Sequence, residues 1–148
     1  MVALNTIQVQ ILFFNFFRNT GLWVNLFFLV VSLSKHMRDC IAIIPARGGS
    51  KRIPKKNIKK FLGKEIISYP IKTALESNIF KDVLVSTDDL EIADFAKREG
   101  ASVPFMRSKK NSDDFATTFD VIEEVLNNLS SKYTFICCLY PTSVFAKS

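Results

Sequence analysis

"CIAIIPARGGSKRIPKKN" (Cys40 to Asn57) begins as an almost wholly apolar run and ends as a cationic loop. The run "CIAIIPA" has the pattern of a central strand covered on both faces. Two glycines interrupt it, and Arg47, Lys51, Arg52, Lys55 and Lys56 then place five cations within ten residues. A turn alone needs neither those cations nor so many free backbone N–H groups. Gly48 and Gly49 let a ligand approach the backbone and open conformations closed to other residues. Such a loop can present successive N–H groups to phosphate oxygens. Ser50 adds a hydroxyl donor. The cations suit a polyphosphate, lysine as a point charge and arginine as a bidentate fork. The spacing fits neither G-x-G-x-x-G nor G-x-x-x-x-G-K-[ST], so dehydrogenase and kinase readings lose support. An ordinary solvated basic loop is the competing reading, and the position directly after a buried strand argues against it.

Downstream, strand and helix patterns alternate. "EIISYPIKTALESNIF" sets Ile67, Ile71, Ala74, Leu75 and Asn78 at helical spacing, with Pro70 in a first turn. "DVLVSTD" (Asp82 to Asp88) reads as a second strand. "DLEIADFAKREG" is a short helix with Ile92, Ala93 and Ala96 inward, stopped at Gly100. "ASVPF" is expected as a short third strand. "TTFDVIEEVLNNL" is the strongest helix, its stripe running through Val121, Ile122, Val125, Leu126 and Leu129, with Thr117 and Asp120 spaced as a capping box. "YTFICCLYP" is the fourth strand. This order predicts an α/β fold: a Rossmann-like, mostly parallel sheet with helices on both faces.

Ligands of such folds sit beyond the carboxyl ends of the strands. Those ends carry "ARGGSKR", "STDD", "VPFMR" and "YPTS", so residues far apart in sequence converge on one rim. Asn57 offers an amide to a ribose or to adjacent backbone. Asp88 and Asp89 orient sugar hydroxyls or a metal ion, with helix capping the preferred reading of Asp89. Arg107 stands on the same rim, or is a plain surface arginine. Asp113, Asp114, Thr117 and Thr118 lead into a helix N-terminus, where anions and hydroxyl ligands are readily held. Tyr140 supplies a ring and a hydroxyl, although an aromatic at a strand end is usually core.

Composition narrows the classes further. Residues 1 to 36 hold no Asp or Glu, only Arg18 and Lys35 as fixed charges, six phenylalanines and Trp23. From Met37 onward 18 Lys/Arg face 14 Asp/Glu, a surplus too modest to indicate nucleic acid. We therefore separate an apolar extension, 1–36, from a domain over 37–148. The extension reads as a weak membrane anchor through residues 11–33, as a poorly folded or packed arm, or as translation begun upstream of the true start. The last is favoured because a strand begins within three residues of Met37. Cys40, Cys137 and Cys138 lack zinc-like spacing and fall in apolar stretches, as buried reduced thiols of a cytoplasmic protein do. Cys137 and Cys138 point to opposite faces of any strand. His36, the single histidine, nearly rules out His-dependent triads.

The motifs "IIPARGGSKRIPKKNIKKFLGK", "VSTDD..IADFAKREGA.VPF.R", "SDD.ATT" and "CCLYPTS", in that order from about Cys40 to Phe145, resemble the N-terminal half of the acylneuraminate-type cytidylyltransferases. The "CCLY" segment is most similar to the branch acting on pseudaminic acid. Sialic acid synthetases commonly have glutamine where Tyr140 stands, and Val144 replaces a common proline. The resemblance implies the nucleotide-diphospho-sugar transferase type of fold. It also implies transfer of CMP from CTP to the anomeric hydroxyl of a nine-carbon acidic sugar, with release of pyrophosphate and with Mg²⁺. N-acetylneuraminate, legionaminate or Kdo-like substrates, and a non-catalytic CTP-binding role, are the alternatives. By the same resemblance Arg47, Lys51 and Lys56 carry the catalytic phosphate contacts. Gly48, Gly49, Ser50, Asn57, Arg107 and Thr118 complete the nucleotide site, and Asp88 and Tyr140 face the sugar. No general base stands out beyond Asp88 and Asp114. Roughly as much sequence again is implied beyond Ser148, with the metal-binding acids, much of the sugar pocket and the arm that makes a homodimer. The fold is expected to be incomplete here, and activity in isolation weak or absent.

Overall fold

The computed structural model describes residues 11–13, 39–50 and 53–144. Lys51, Arg52, most of the apolar extension (including 14–33 of the suggested membrane contact) and residues 145–148 lie outside the described residues.

The centre is a four-stranded parallel sheet. β2 (Cys40–Pro45) lies between β5 (Asp82–Ser86) and β6 (Phe135–Cys138), and β1 (Ile11–Phe13) runs parallel along the outer side of β6. Ile43 of β2 is in register with Leu84 on one side and Cys138 on the other. β1 sets Leu12 opposite Cys137. β3 (Lys60–Phe61) and β4 (Lys64–Glu65) form a separate antiparallel hairpin, and both turn residues, Leu62 and Gly63, adopt positive φ. Two such residues make the tight turn whose twist suits a two-residue hairpin.

Among the described residues three helices cover the sheet: α1 (Ser68–Glu76), α2 (Leu90–Arg98) and α3 (Thr118–Asn128). Side chains alternate across each strand, and the core divides accordingly. Ala42, Ile44, Val83, Val85 and Cys137 share a cluster with Ile67, Ile71 and Ala74 at α1 and with Ile92 and Ala96 of α2. Ile41, Ile43, Leu84, Ile136 and Cys138 pack with Ile122 and Val125 of α3. Both faces of β2 are therefore dry, which is why its sequence is apolar without alternation. Ile41, Ile43 and Ile44 are fully buried, each contributing about 1.5–3 kcal/mol of transfer free energy.

The helix expectations hold in their essentials. Asp89 caps α2, its carboxylate accepting the N–H groups of Glu91 and Ile92, and Thr117 and Asp120 form a reciprocal capping box on α3. Gly100 ends the α2 segment with a φ of 95°, a left-handed conformation that glycine adopts without strain. Two details differ. "ASVPF" makes only one parallel bridge, Ser102 with Leu84, because Pro104 has no N–H to extend the ladder. Asn78, expected on the helical stripe, lies past the end of α1 with a φ of 53°. Among the described residues no helix is long and apolar enough to cross a membrane.

Candidate functional site: a cationic cleft at the strand ends

The carboxyl ends of β2, β5 and β6 open on the same side, and a cleft of about 260 Å³ lies there. Arg47, Lys56, Asn57, Arg107, Thr118 and Tyr140 all line it, joined by Asn111, Asp113, Asp114 and Thr117. Four separate segments of the chain meet at this cavity.

Asn57 is buried and its Nδ2 donates to the carbonyl oxygen of Arg47 at 2.9 Å. The side chain therefore holds adjacent backbone, one of its two expected roles, and fixes where the Arg47 side chain starts. The Arg47 guanidinium spans the cleft: Nη1 donates to the carbonyl oxygen of Asp113 at 2.6 Å, and Nη2 pairs with Asp114 Oδ1 at 2.9 Å. Of the other loop cations, Lys56 faces the cleft, whereas Lys55 pairs with Glu91 at the start of α2. Lys51 lies outside the described residues.

Arg107 is buried, its backbone N–H donating to the carbonyl oxygen of Thr87 at 2.8 Å. Nε donates to Ser86 Oγ at 3.0 Å and Nη2 to the Ser86 carbonyl oxygen. Burial pushes the Arg107 guanidinium below its ordinary pKa, while the charges of Asp88 and Glu124 act in the opposite direction. A cation held this way by the end of β5 is a fixed positive wall. Thr118, the first residue of α3, has its hydroxyl 2.9 Å from that of Tyr140, so α3 and the end of β6 share one hydrogen bond inside the cleft.

Gly48, Gly49, Ser50 and Asp88 are not among the residues that line the cleft. Gly48 donates its N–H to Asp88 Oδ1 at 2.8 Å, and Ser50 donates its N–H to the Gly48 carbonyl oxygen at 2.8 Å. Those two amides serve the loop itself. Neither glycine has a left-handed φ, so the freedom expected of them is not what position 48 uses. A Cβ on Gly48 would stand 2.5 Å from Asp89 Oδ2 and 2.8 Å from Asp89 Cβ. Close approach, not backbone freedom, requires glycine there.

Asn111 escaped the sequence reading. Its Nδ2 donates to Glu124 Oε2 at 2.7 Å and to the Asp120 carbonyl oxygen at 3.3 Å, and it lines the cleft. Glu124 also accepts the Ser108 N–H at 2.9 Å. Burial raises the Glu124 carboxyl, but hydrogen bonds from Asn111 and Ser108 and the Arg107 charge outweigh it and leave the pKa below the usual value. The only hint in sequence was a polar residue beside "SDD", with no periodicity to mark it.

Among the described residues no group of three His, Cys, Asp or Glu side chains stands close enough to hold a metal ion. All three cysteines are buried and free. Burial pushes the thiols of Cys40 and Cys138 up to about 11 and that of Cys137 up to about 12, so they are poor nucleophiles.

Comparison with known proteins agrees with this geometry. Residues 41–148 match the cytidylyltransferase family model. The pseudaminic acid cytidylyltransferase of Campylobacter jejuni subsp. jejuni serotype O:2 is 51% identical over 106 residues, covering 70% of this chain and 46% of that protein. The CMP-N,N'-diacetyllegionaminic acid synthase of Legionella pneumophila is 42% identical over 114 residues, covering 72% of this chain and 47% of that protein. A solved structure of CMP:2-keto-3-deoxy-manno-octonic acid synthetase complexed with CTP superposes with a TM-score of 0.59 at 25% identity, covering 70% of this chain and 40% of that one. The chain thus spans about half the length of the relatives it matches. The match over residues 41–148 shows that this chain belongs to the cytidylyltransferase family.

Proposed function

We propose that the cleft binds CTP, and that the chain serves the transfer of CMP to a nine-carbon acidic sugar, pseudaminic acid by preference, with release of pyrophosphate. The observation that carries this reading is the convergence of Arg47, Lys56 and Arg107 with Asn57, Thr118 and Tyr140 on one cavity at the strand ends. Similarity to relatives named for pseudaminic acid supports the choice of sugar.

In this reading the sugar's anomeric oxygen attacks the α-phosphorus, its bond to phosphorus forms, and the bond from the α-phosphorus to the bridging oxygen breaks. Pyrophosphate departs with that oxygen, and the hydroxyl proton passes to solvent water. Catalysis of such a transfer is mainly positioning and charge neutralisation. Arg47 and Lys56 gather phosphate charge, together with Lys51 by family resemblance, while Gly48, Gly49 and Ser50 shape the loop. Arg107 and Thr118 belong with the nucleotide, Asn57 serves it by fixing the Arg47 backbone, and the sugar is assigned to Tyr140 and Asp88. Asp88 already accepts the Gly48 N–H and Asp114 already pairs with Arg47, so neither is assigned as the base. The magnesium ion implied by the resemblance finds no ready donor set among the described residues, and the phosphate contacts are assigned to the chain's own cations. A cytoplasmic setting completes the proposal, with the homodimer belonging to a chain that carries the arm expected beyond Ser148.

The test is calorimetric titration of the folded chain with CTP, followed by incubation with CTP, Mg²⁺ and each of pseudaminate, N-acetylneuraminate, legionaminate and a Kdo-like acid. Pyrophosphate and CMP-sugar are scored. Product with pseudaminate is expected if activity is retained. CTP binding without turnover would favour the non-catalytic alternative, product only with N-acetylneuraminate would end the choice of sugar, and no CTP binding would end the reading altogether.

A further inference from the structure

Resting on the CTP reading, we propose that Asp114 is a gate on the Arg47 fork: its carboxylate occupies the fork in place of a phosphate and must leave before a phosphate can take both prongs. The Arg47 carbonyl is pinned by Asn57, so the guanidinium leaves the backbone from a fixed point. Its fork meets two acceptors at once, the Asp113 carbonyl oxygen at 2.6 Å and Asp114 Oδ1 at 2.9 Å. Guanidinium offers the same two-pronged geometry to a phosphate.

The backbone that carries both acceptors is held without help from Arg47. Asp113 Oδ1 accepts the N–H groups of Phe115 and Ala116, each at 2.8 Å, and the capping box of α3 follows directly. The Arg47 and Asp114 side chains are 34% and 38% exposed, so their attraction is screened and modest. Arg47, Asp114, Lys56 and Arg107 all line the cleft. A triphosphate reaches several of these cations together and displaces one carboxylate. A monophosphate at Arg47 has to displace the same carboxylate, so the cost is common to every phosphate that uses the fork. After transfer, return of Asp114 to the fork favours departure of the cleaved phosphates.

The full chain and its Asp114→Asn variant are titrated calorimetrically with CTP, CMP, inorganic phosphate and inorganic tripolyphosphate. Removing the rival charge is expected to tighten CMP and phosphate by on the order of two- to fivefold, the size of a partly exposed ion pair. CTP and tripolyphosphate are expected to gain at least as much, since they meet the same competitor and carry more charge for it to repel. Folding damage would instead weaken every ligand. The gain is expected to vanish when Arg47→Ala is added. Asp114→Ser serves the same comparison if Asp114→Asn fails to fold. Unchanged or weaker CMP binding in a folded variant, with CTP still bound by the native chain, overturns the gate alone. A gain that survives loss of Arg47 also overturns it. Failure of the native chain to bind CTP removes the gate and the functional reading together.

Discussion

Gly48 has no room for a side chain, and the obstacle is a helix cap. Its would-be Cβ meets Asp89 Oδ2 and Cβ, while Asp89 is held by two amides of α2. Gly48→Ala is therefore expected to lower stability by about 1–3 kcal/mol, the range for forcing extra atoms into a packed site. Chemical denaturation measures it. Combining it with Asp89→Gly should be less harmful than the sum of the two changes, since the second removes both obstructing atoms. Strict additivity would place the strain elsewhere. Asn57→Ala tests the other anchor: loss of the bond to the Arg47 carbonyl is expected to cost about 1–2 kcal/mol and to weaken CTP binding. Stability loss with unchanged CTP affinity would separate Asn57 from the positioning of Arg47.

At the scale of elements, the strands carry their thiols where water does not reach. Cys40 on β2 and Cys137 and Cys138 on β6 have pKa values raised to about 11, 12 and 11 from an ordinary 9.0. Above pH 9 the unfolded chain loses these protons first, so it binds fewer protons than the native state. Stability then falls as pH rises from about 9 toward 11–12, and is unaffected by these groups below pH 9. Urea melts between pH 8 and 10.5, comparing the native chain with Cys138→Ala, should show a shallower alkaline decline in the variant. Equal slopes would mean that Cys138 ionises alike in both states. In the folded state at pH 8 the three thiols are expected to react slowly with a thiol reagent, and promptly after denaturation.

The whole molecule raises the question of the outer edge of β6. β1, from the apolar extension, pairs there, and a strand edge left bare is a site for unwanted pairing. A chain begun at Met37 is accordingly expected to self-associate more than the full chain, as read by light scattering at matched concentration. A more monodisperse Met37 chain would mean that β1 contributes nothing to protecting that edge. CTP binding should change little between the two, because the cleft residues come from Pro45 onward.

The sheet and its covering helices were legible because their signals are local. An unbroken apolar run such as "CIAII" requires cover on both faces, and the stripe of Val121, Ile122 and Val125 requires a helix with one dry side. Capping at Asp89 and Thr117 is likewise a matter of a few adjacent residues. Membership of the cleft was legible for Arg47, Lys56, Asn57, Arg107, Thr118 and Tyr140 through the rule that ligands sit at strand ends, strengthened by the family resemblance. The partners of those residues were not. That Arg47 grips Asp113 and Asp114, that Gly48 is pressed by Asp89, and that Asn111 is steadied by Glu124 depend on distances between segments far apart in sequence. Neighbours along a chain set its periodicity, but only packing sets which charges face each other across a cavity.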